Sequence, residues 1–314
     1  MNQTKGLMKT NILGLHHITA IAGNAKRNYD FYTGVLGLRL VKKTVNFDDP
    51  GTYHFYFGDE VGTPGSILTF FPWEGIAPGN QGAGQATEVV YAVPVGSLDF
   101  WRNRLESLQI KVETGKRFDE EYLSFKDPDG LPLTLLAPIQ SDSRTGWHTK
   151  EVSTDVAIKG FHSVTLTLNR KDATQQVLEL LGYTLTGQEN TRYRYVTEAI
   201  DTAHIIDIVE LNTPRGVNAA GTIHHIAFRV KDEEVQMAIR EKIVKAGYQI
   251  TPKIDRNYFF SLYFREPGGV LFEIATDNPG FATDESVSEL GSHLMLPAQY
   301  EASRARIEEV LPVL

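Results

Sequence analysis

The sequence has no cysteine. Disulfides and thiolate metal sites are therefore excluded, and any metal in this chain must be held by histidine or carboxylate side chains. It also lacks a block of lysine and arginine. The 31 basic residues face 39 acidic ones for a formal net charge of -8, the wrong balance for a partner made of nucleic acid or anionic membrane. No apolar run is long enough to cross a bilayer. Met1 to Thr10 is polar and no apolar segment follows it, so no signal peptide is expected and the cytoplasm is the default location. A nucleophile elbow with serine, histidine and aspartate partners is missing, as is a phosphate-binding loop. The glycine-rich run from Gly79 to Gly84 does not lead from a strand into a helix and reads as a flexible loop, a candidate lid. The 314 residues are enough for two ordinary domains with well-buried cores.

What is present is a repeat. Leu15 to Ile21 alternates like a strand, a helix is expected over Ala25 to Leu36 with Gly37 ending it, and strand-like runs follow at Leu38 to Asn46, Tyr53 to Phe57 and Ser66 to Phe71. The order recurs three times. The second unit has a strand from Glu88, a helix over Ser97 to Leu108 with Ser97 as its N-cap, and strands Tyr122 to Lys126 and Leu131 to Ala137. The third opens at Phe161 and carries a helix over Lys171 to Leu181. The fourth opens at Ile223, carries a helix over Asp232 to Ala246, and closes through Pro267-Gly268-Gly269 into a return strand. The fold class is thus α+β: four βαβββ modules forming two cup-shaped half-barrel domains. Residues 1–150 hold two modules, 151–314 hold two more with a C-terminal tail, and the polar stretch Gln140 to Glu151 is the linker. The open edges of such modules call for a sister unit to pair with, and the tail is expected to cover a sheet edge or a dimer contact. Whether the chain forms a homo-oligomer is left open.

The return strand of the fourth module carries one charge, Glu273, on the face opposite Phe272 and Ile274. A carboxylate there is costly to bury unless it is ion-paired or bound to a metal. Two modules open on matching pairs, His16-His17 and His224-His225, each followed by Ile. Neighbours on a strand face opposite ways. By that alternation His17 and His225 enter the cup, while His16 and His224 fall on the face that packs under the helix. Two histidines and one carboxylate make a facial triad suited to non-haem Fe(II). The place of Glu273 is taken by Thr69 in the first module and Thr134 in the second, and the third opens on His162-Ser163. This distribution leads us to expect that the first and fourth modules pair around one metal and that the second and third form a metal-free cup. His54, His162 and His204 read as structural, His148 and His293 as exposed.

At these residues the chain resembles the vicinal-oxygen-chelate superfamily, the glyoxalase/bleomycin-resistance/extradiol-dioxygenase fold, over nearly all of residues 12 to 280. More closely, it resembles bacterial ring-cleaving dioxygenases acting on hydroquinones. The motifs are Leu15-His16-His17-Ile18-Thr19, Phe55-Tyr56-Phe57 ahead of Gly62-Thr63-Pro64-Gly65, Ile223-His224-His225, and Tyr258-Phe259 through Glu273. The resemblance implies Fe(II) held by His17, His225 and Glu273. It also implies catalytic roles near the metal for His16, Thr19, His224, Arg256 and Tyr263. Its substrates would be O₂ and a small aromatic compound: hydroquinone, a substituted hydroquinone or a catechol. Mn(II), Zn(II) and Ni(II) are not distinguished from Fe(II) by the residues. Two alternatives stand beside this expectation. A glyoxalase-type isomerase would need a second carboxylate where Thr69 lies, and a non-catalytic resistance protein that sequesters an aromatic drug would not need the triad.

Overall fold

The computed structural model describes residues 12–314; the stretch Met1 to Thr10, read above for a signal peptide, lies outside them. The first module comprises β1 (Leu15–Ala22), α1 (Ala25–Asp30), β2 (Arg39–Val45), β3 (Tyr53–Gly58) and β4 (Ile67–Pro72). The second comprises β5 (Gln85–Ala92), α2 (Leu98–Ser107), β6 (Glu113–Arg117), β7 (Glu120–Lys126) and β8 (Pro132–Ala137). The third runs β9 (Gly160–Leu168), α3 (Asp172–Leu180), β10 (Thr184–Glu189), β11 (Arg192–Val196) and β12 (Ile205–Glu210). The fourth runs β13 (Thr222–Val230), α4 (Glu233–Lys245), β14 (Ile254–Asp255), β15 (Phe259–Arg265) and β16 (Leu271–Pro279), and the tail ends in α5 (Arg304–Val310).

The strands form two curled eight-stranded sheets, ordered β14-β15-β16-β13-β1-β4-β3-β2 and β10-β11-β12-β9-β5-β8-β7-β6. Antiparallel pairing of β1 with β13 joins the first module to the fourth, and that of β5 with β9 joins the second to the third. The sequence divisions 1–150 and 151–314 therefore do not each close a cup. Each cup draws one module from either half, because the free edges of β1 and β5 find their partners across the linker.

One continuous apolar core serves both sheets, with Ile18, Ala20, Phe228, Val89, Tyr91 and Phe161 among its members. The alternation of β1 sends Ile18 and Ala20 into this core and leaves His17 and Thr19 for the concave side. Helix α4 is capped by Asp232, whose carboxylate accepts the Val235 N–H at 3.0 Å, and it has Glu233 and Glu234 in its first turn and Lys242 and Lys245 in its last, the charge order its dipole favours.

Several local expectations are corrected. The first helix does not continue regularly to Leu36; residues Phe31–Val35 form a π-turn closed by the Leu36 N–H to Phe31 carbonyl bond, which widens the turn. Ser97 does not cap α2, because its hydroxyl donates to the Pro94 carbonyl instead. Strand β6 went unpredicted because it is polar and largely exposed. The Gly79 to Gly84 loop is a packed strap rather than a lid. It bridges the 214–220 segment at Pro78, Asn80 and Ala83, and a Cβ on Gly82 would lie 2.5 Å from the Pro214 carbonyl. The tail does cover a sheet edge. Leu294 bridges edge strand β2 at Lys43, and Met295 N–H donates to the Lys43 carbonyl. Buried Lys42 reaches from β2 to Asp284 and Glu285 of the tail.

Candidate metal centre and active site

Strands β1, β13 and β16 are neighbours, and from them His17, His225 and Glu273 turn toward one point. His17 Nε2 lies 3.2 Å and His225 Nε2 2.9 Å from Glu273 Oε2, and the two nitrogens are 3.4 Å apart. All three side chains are buried. Ligands bonded at about 2.1 Å and right angles around one cation would stand about 3 Å apart. Glu273 Oε2 is buried with no hydrogen bond of good geometry. A lone pair left so is costly unless a cation satisfies it, so the donor set fits a divalent metal. Burial alone would raise the Glu273 pKa, but the neighbouring His17 and His225 hold it well below the usual range. Its other oxygen accepts the buried Ser261 hydroxyl. Among the described residues, no other group of three or more histidine, aspartate or glutamate side chains gathers ligand atoms this closely.

The partner histidines are placed by β-bulges. Along the β1–β13 ladder, Leu15 pairs with Phe228 and His17 with Ala227, which leaves His16 unpaired; Thr19 pairs with His225 and Ala20 with Ile223, which leaves His224 unpaired. A bulge re-aims the extra side chain. Strict alternation would put His16 and His224 under the helices. Instead His16 Nδ1 lies 2.9 Å from His17 Nδ1, and His224 Nδ1 lies 2.8 Å from His225 Nδ1. A cation at the shared point would take the Nε2 lone pairs of His17 and His225, which would leave their protons on Nδ1 with His16 and His224 as acceptors. Burial keeps both acceptors neutral: His16 is pushed well below its ordinary value and His224 down to about 3. His16 is enclosed against Phe259, whereas His224 reaches a cavity.

That cavity, about 330 Å³, reaches His17 and His225 of the three converging residues, and its lining also includes Thr19, His224, Arg256 and Tyr263. Phe47, Phe71, Trp73 and Phe259 give it aromatic walls. The Arg256 guanidinium sits 5.4 Å from the Phe47 ring centre and 5.5 Å from that of Tyr263. Burial, and then the Glu273 charge, push the Tyr263 hydroxyl above its usual range, so it is a protonated donor. His54, read from the sequence as structural, and Tyr56, quoted there only within a motif, line the same cavity. The signal was available: in Tyr53–Phe57 they share the face opposite Phe55 and Phe57. Ser261 left no signal, because its role depends on facing Glu273 across a ladder.

The other cup repeats the register with different chemistry. Glu88 lies opposite Thr165 as His225 lies opposite Thr19, so Glu88 stands at the position of His225 and Ser163 at that of His17. Thr134 and Asp207 occupy the places of Glu273 and Thr69. Arg117 grips both Glu88 oxygens at 3.0 Å, Thr134 and Thr165 donate to them, and Arg192 approaches to 3.5 Å. The cationic partner there is a pair of guanidinium groups. A cavity of about 400 Å³ in this half of the molecule is lined by Glu120, which pairs with both His162 and Arg194.

Comparison with known proteins agrees with this architecture. The profile of the Glyoxalase/Bleomycin resistance protein/Dioxygenase superfamily matches residues 14–135 and 147–274. MhqO of Bacillus subtilis (strain 168), named as a candidate ring-cleaving dioxygenase, is 49% identical over 97% of each chain. A chlorohydroquinone/hydroquinone 1,2-dioxygenase of Sphingobium indicum is 37% identical over 92% of each. The crystal structure of a candidate dioxygenase from Bacillus subtilis superposes with a TM-score of 0.93 at 48% identity, covering 98% of both chains. Glyoxalase I from Zea mays, at 15% identity and a TM-score of 0.60 over 84% of this chain and 92% of that one, shares the fold. With two profile matches, relatives aligned along almost its whole length and the paired cups, the chain belongs to the glyoxalase/bleomycin resistance protein/dioxygenase superfamily.

Proposed function

We propose that this member of the superfamily is an Fe(II)-dependent ring-cleaving dioxygenase that opens a hydroquinone- or catechol-type ring with O₂, with His17, His225 and Glu273 as the metal ligands. The observation that carries the reading is the convergence of two imidazole nitrogens and one unsatisfied carboxylate oxygen beneath an aromatic-walled cavity. Bound there, a divalent iron supplies Lewis acidity that lowers the pKa of a phenol and a redox partner for O₂. The protein's own groups have separable tasks. Phe47, Phe71, Trp73 and Phe259 hold the ring and exclude water. Arg256 attracts the phenolate, and the Tyr263 hydroxyl donates to oxygen as negative charge develops. His224, neutral and on the cavity wall, accepts at Nδ1 and so carries its proton on Nε2, where it can donate a hydrogen bond to a substrate oxygen. His16 and His224 orient the ligand rings through Nδ1, and Thr19 faces the same cavity. The isomerase alternative would require a carboxylate where the Thr69 hydroxyl bonds to Thr19 and His54.

The test is O₂ consumption by anaerobically Fe(II)-reconstituted protein with hydroquinone, methylhydroquinone and catechol, together with metal analysis. We expect uptake matched to ring-opened product, and a sharp loss of retained iron in Glu273→Gln. Full iron content and full activity in that variant would remove Glu273 from the ligand set. Iron-loaded protein that consumes no O₂ with any of the three compounds would overturn the dioxygenase reading for this substrate class.

A further inference from the structure

The concave wall of the first cup contains a file of buried hydroxyl and imidazole groups that the functions assigned above leave unused. Tyr56 Oη lies 2.9 Å from His54 Nδ1, His54 Nε2 lies 2.9 Å from Thr69 Oγ1, and Thr69 Oγ1 donates to Thr19 Oγ1 at 2.9 Å. The four side chains come from adjacent strands β3, β4 and β1, and all are buried. Tyr56, His54 and Thr19 also line the cavity. Among the described residues the Tyr56 hydroxyl has no other hydrogen-bond partner.

We propose that Tyr56, His54 and Thr69 form a one-way hydrogen-bond relay that sets the Thr19 hydroxyl as a donor to an oxygen substituent of the bound ring. The polarity follows from donor and acceptor counting. A buried phenol must give its proton to something, and His54 Nδ1 is the acceptor within reach. A neutral imidazole that accepts at Nδ1 carries its proton on Nε2, so His54 donates to Thr69. Thr69 then passes its own proton to Thr19. The Thr19 oxygen has accepted, and its hydrogen is left for the cavity. The reverse polarity would leave the phenol proton buried without an acceptor, a costly arrangement. Thr19 stands two residues along β1 from His17 and so shares its face. A donor fixed there complements a phenolate or developing carbonyl oxygen, and gives nothing to a ring that lacks oxygen at that position. Tyr56, His54 and Thr69 are positioning residues, since they act through Thr19.

The inference rests on the ring-cleaving reading for its substrate, so its test has one arm that needs no turnover. Nitrogen-15 spectra of histidine-labelled, metal-free protein report the His54 tautomer, with the signal assigned by its loss in His54→Gln. We expect a proton on Nε2 alone at neutral pH, and a shifted tautomer balance in Tyr56→Phe. An Nδ1–H tautomer in the wild type, or a balance indifferent to Tyr56→Phe, would overturn the relay whatever the enzyme does. The second arm is a double-mutant cycle on the iron-loaded enzyme with hydroquinone. Thr69→Val should keep its iron and lose on the order of tenfold in kcat/KM, as expected for one hydrogen bond, and Thr69→Ser should restore it. Thr19→Val should show the same loss, and the double variant should be no worse than either single one. Additive losses, or wild-type kinetics in Thr69→Val, would refute the proposal. A wild type that binds iron and shows the expected tautomer but turns over no hydroquinone would instead refute the parent reading.

Discussion

Replacing Glu88 by Gln tests whether the second cup is held by charge where the first has a candidate metal site. Burial by itself would raise the Glu88 pKa, but the Arg117 pair, Arg192 and the Thr134 hydroxyl bring it from 4.5 down to about 2. At 1.36 kcal/mol per decade of proton affinity, that depression corresponds to about 3 kcal/mol of folding stability. The side chain is only 13% exposed, so solvent screens little of it. The folded pKa lies below the unfolded one. The contribution is therefore fully present above pH 4.5 and is lost as pH falls toward 2. Urea unfolding of wild type and Glu88→Gln at pH 7 should differ by about 3 kcal/mol. At pH 3.5 the gap should have narrowed by about 1.4 kcal/mol. Metal content and cavity chemistry should be unchanged, since Glu88 lies in the other sheet. A loss that is the same at both pH values would mean that shape, not charge, is what Glu88 supplies. No loss at all would mean that the guanidinium pairs add nothing to folding.

Two other outcomes follow from the same geometry. Ser261→Ala removes the donor that orients the Glu273 carboxylate and should weaken metal binding by about 10- to 100-fold, measurable by competition with a chelator; wild-type affinity would deny the orienting role. Lys42→Met leaves the buried Glu285 without its cation and should cost about 3 to 5 kcal/mol, seen as a lower melting temperature and faster proteolysis of the tail; unchanged melting would show that the tail is held by its apolar contacts.

Much of the architecture is legible in the sequence because each module repeats one order of elements, and because strand alternation is a local property. Parity along Leu15 to Ala20 and Ile223 to Phe228 separates core side chains from cup side chains, and the distribution of His-His pairs points to the first module facing the fourth. What local pattern does not carry is register between strands. The bulges at His16 and His224 arise from the β1–β13 ladder, so alternation alone sends both rings to the wrong side. Ser261 acquires its role from a carboxylate on the next strand. His54 is a different case: it reads as structural, and although it shares a strand face with Tyr56, its place on the cup wall depends on β3 flanking β4 in the same sheet, which the sequence does not carry. The Gly79 to Gly84 run looks mobile by composition, and is packed because the connection between the other two modules lies against it.

The pairing of first with fourth and second with third modules makes the two cups nested, like brackets within brackets. On a ribosome, where synthesis runs from the N-terminus, β5 can meet β9 as soon as the third module emerges. Strand β1 must wait, edge exposed, until β13 follows. The inner cup, with its own guanidinium–carboxylate pairs, can close without help from any ion. The outer cup, which gathers His17 with His225 and Glu273, is the last to form. A chain stalled after its third module would thus hold a closed inner cup but only His17 of the three converging side chains.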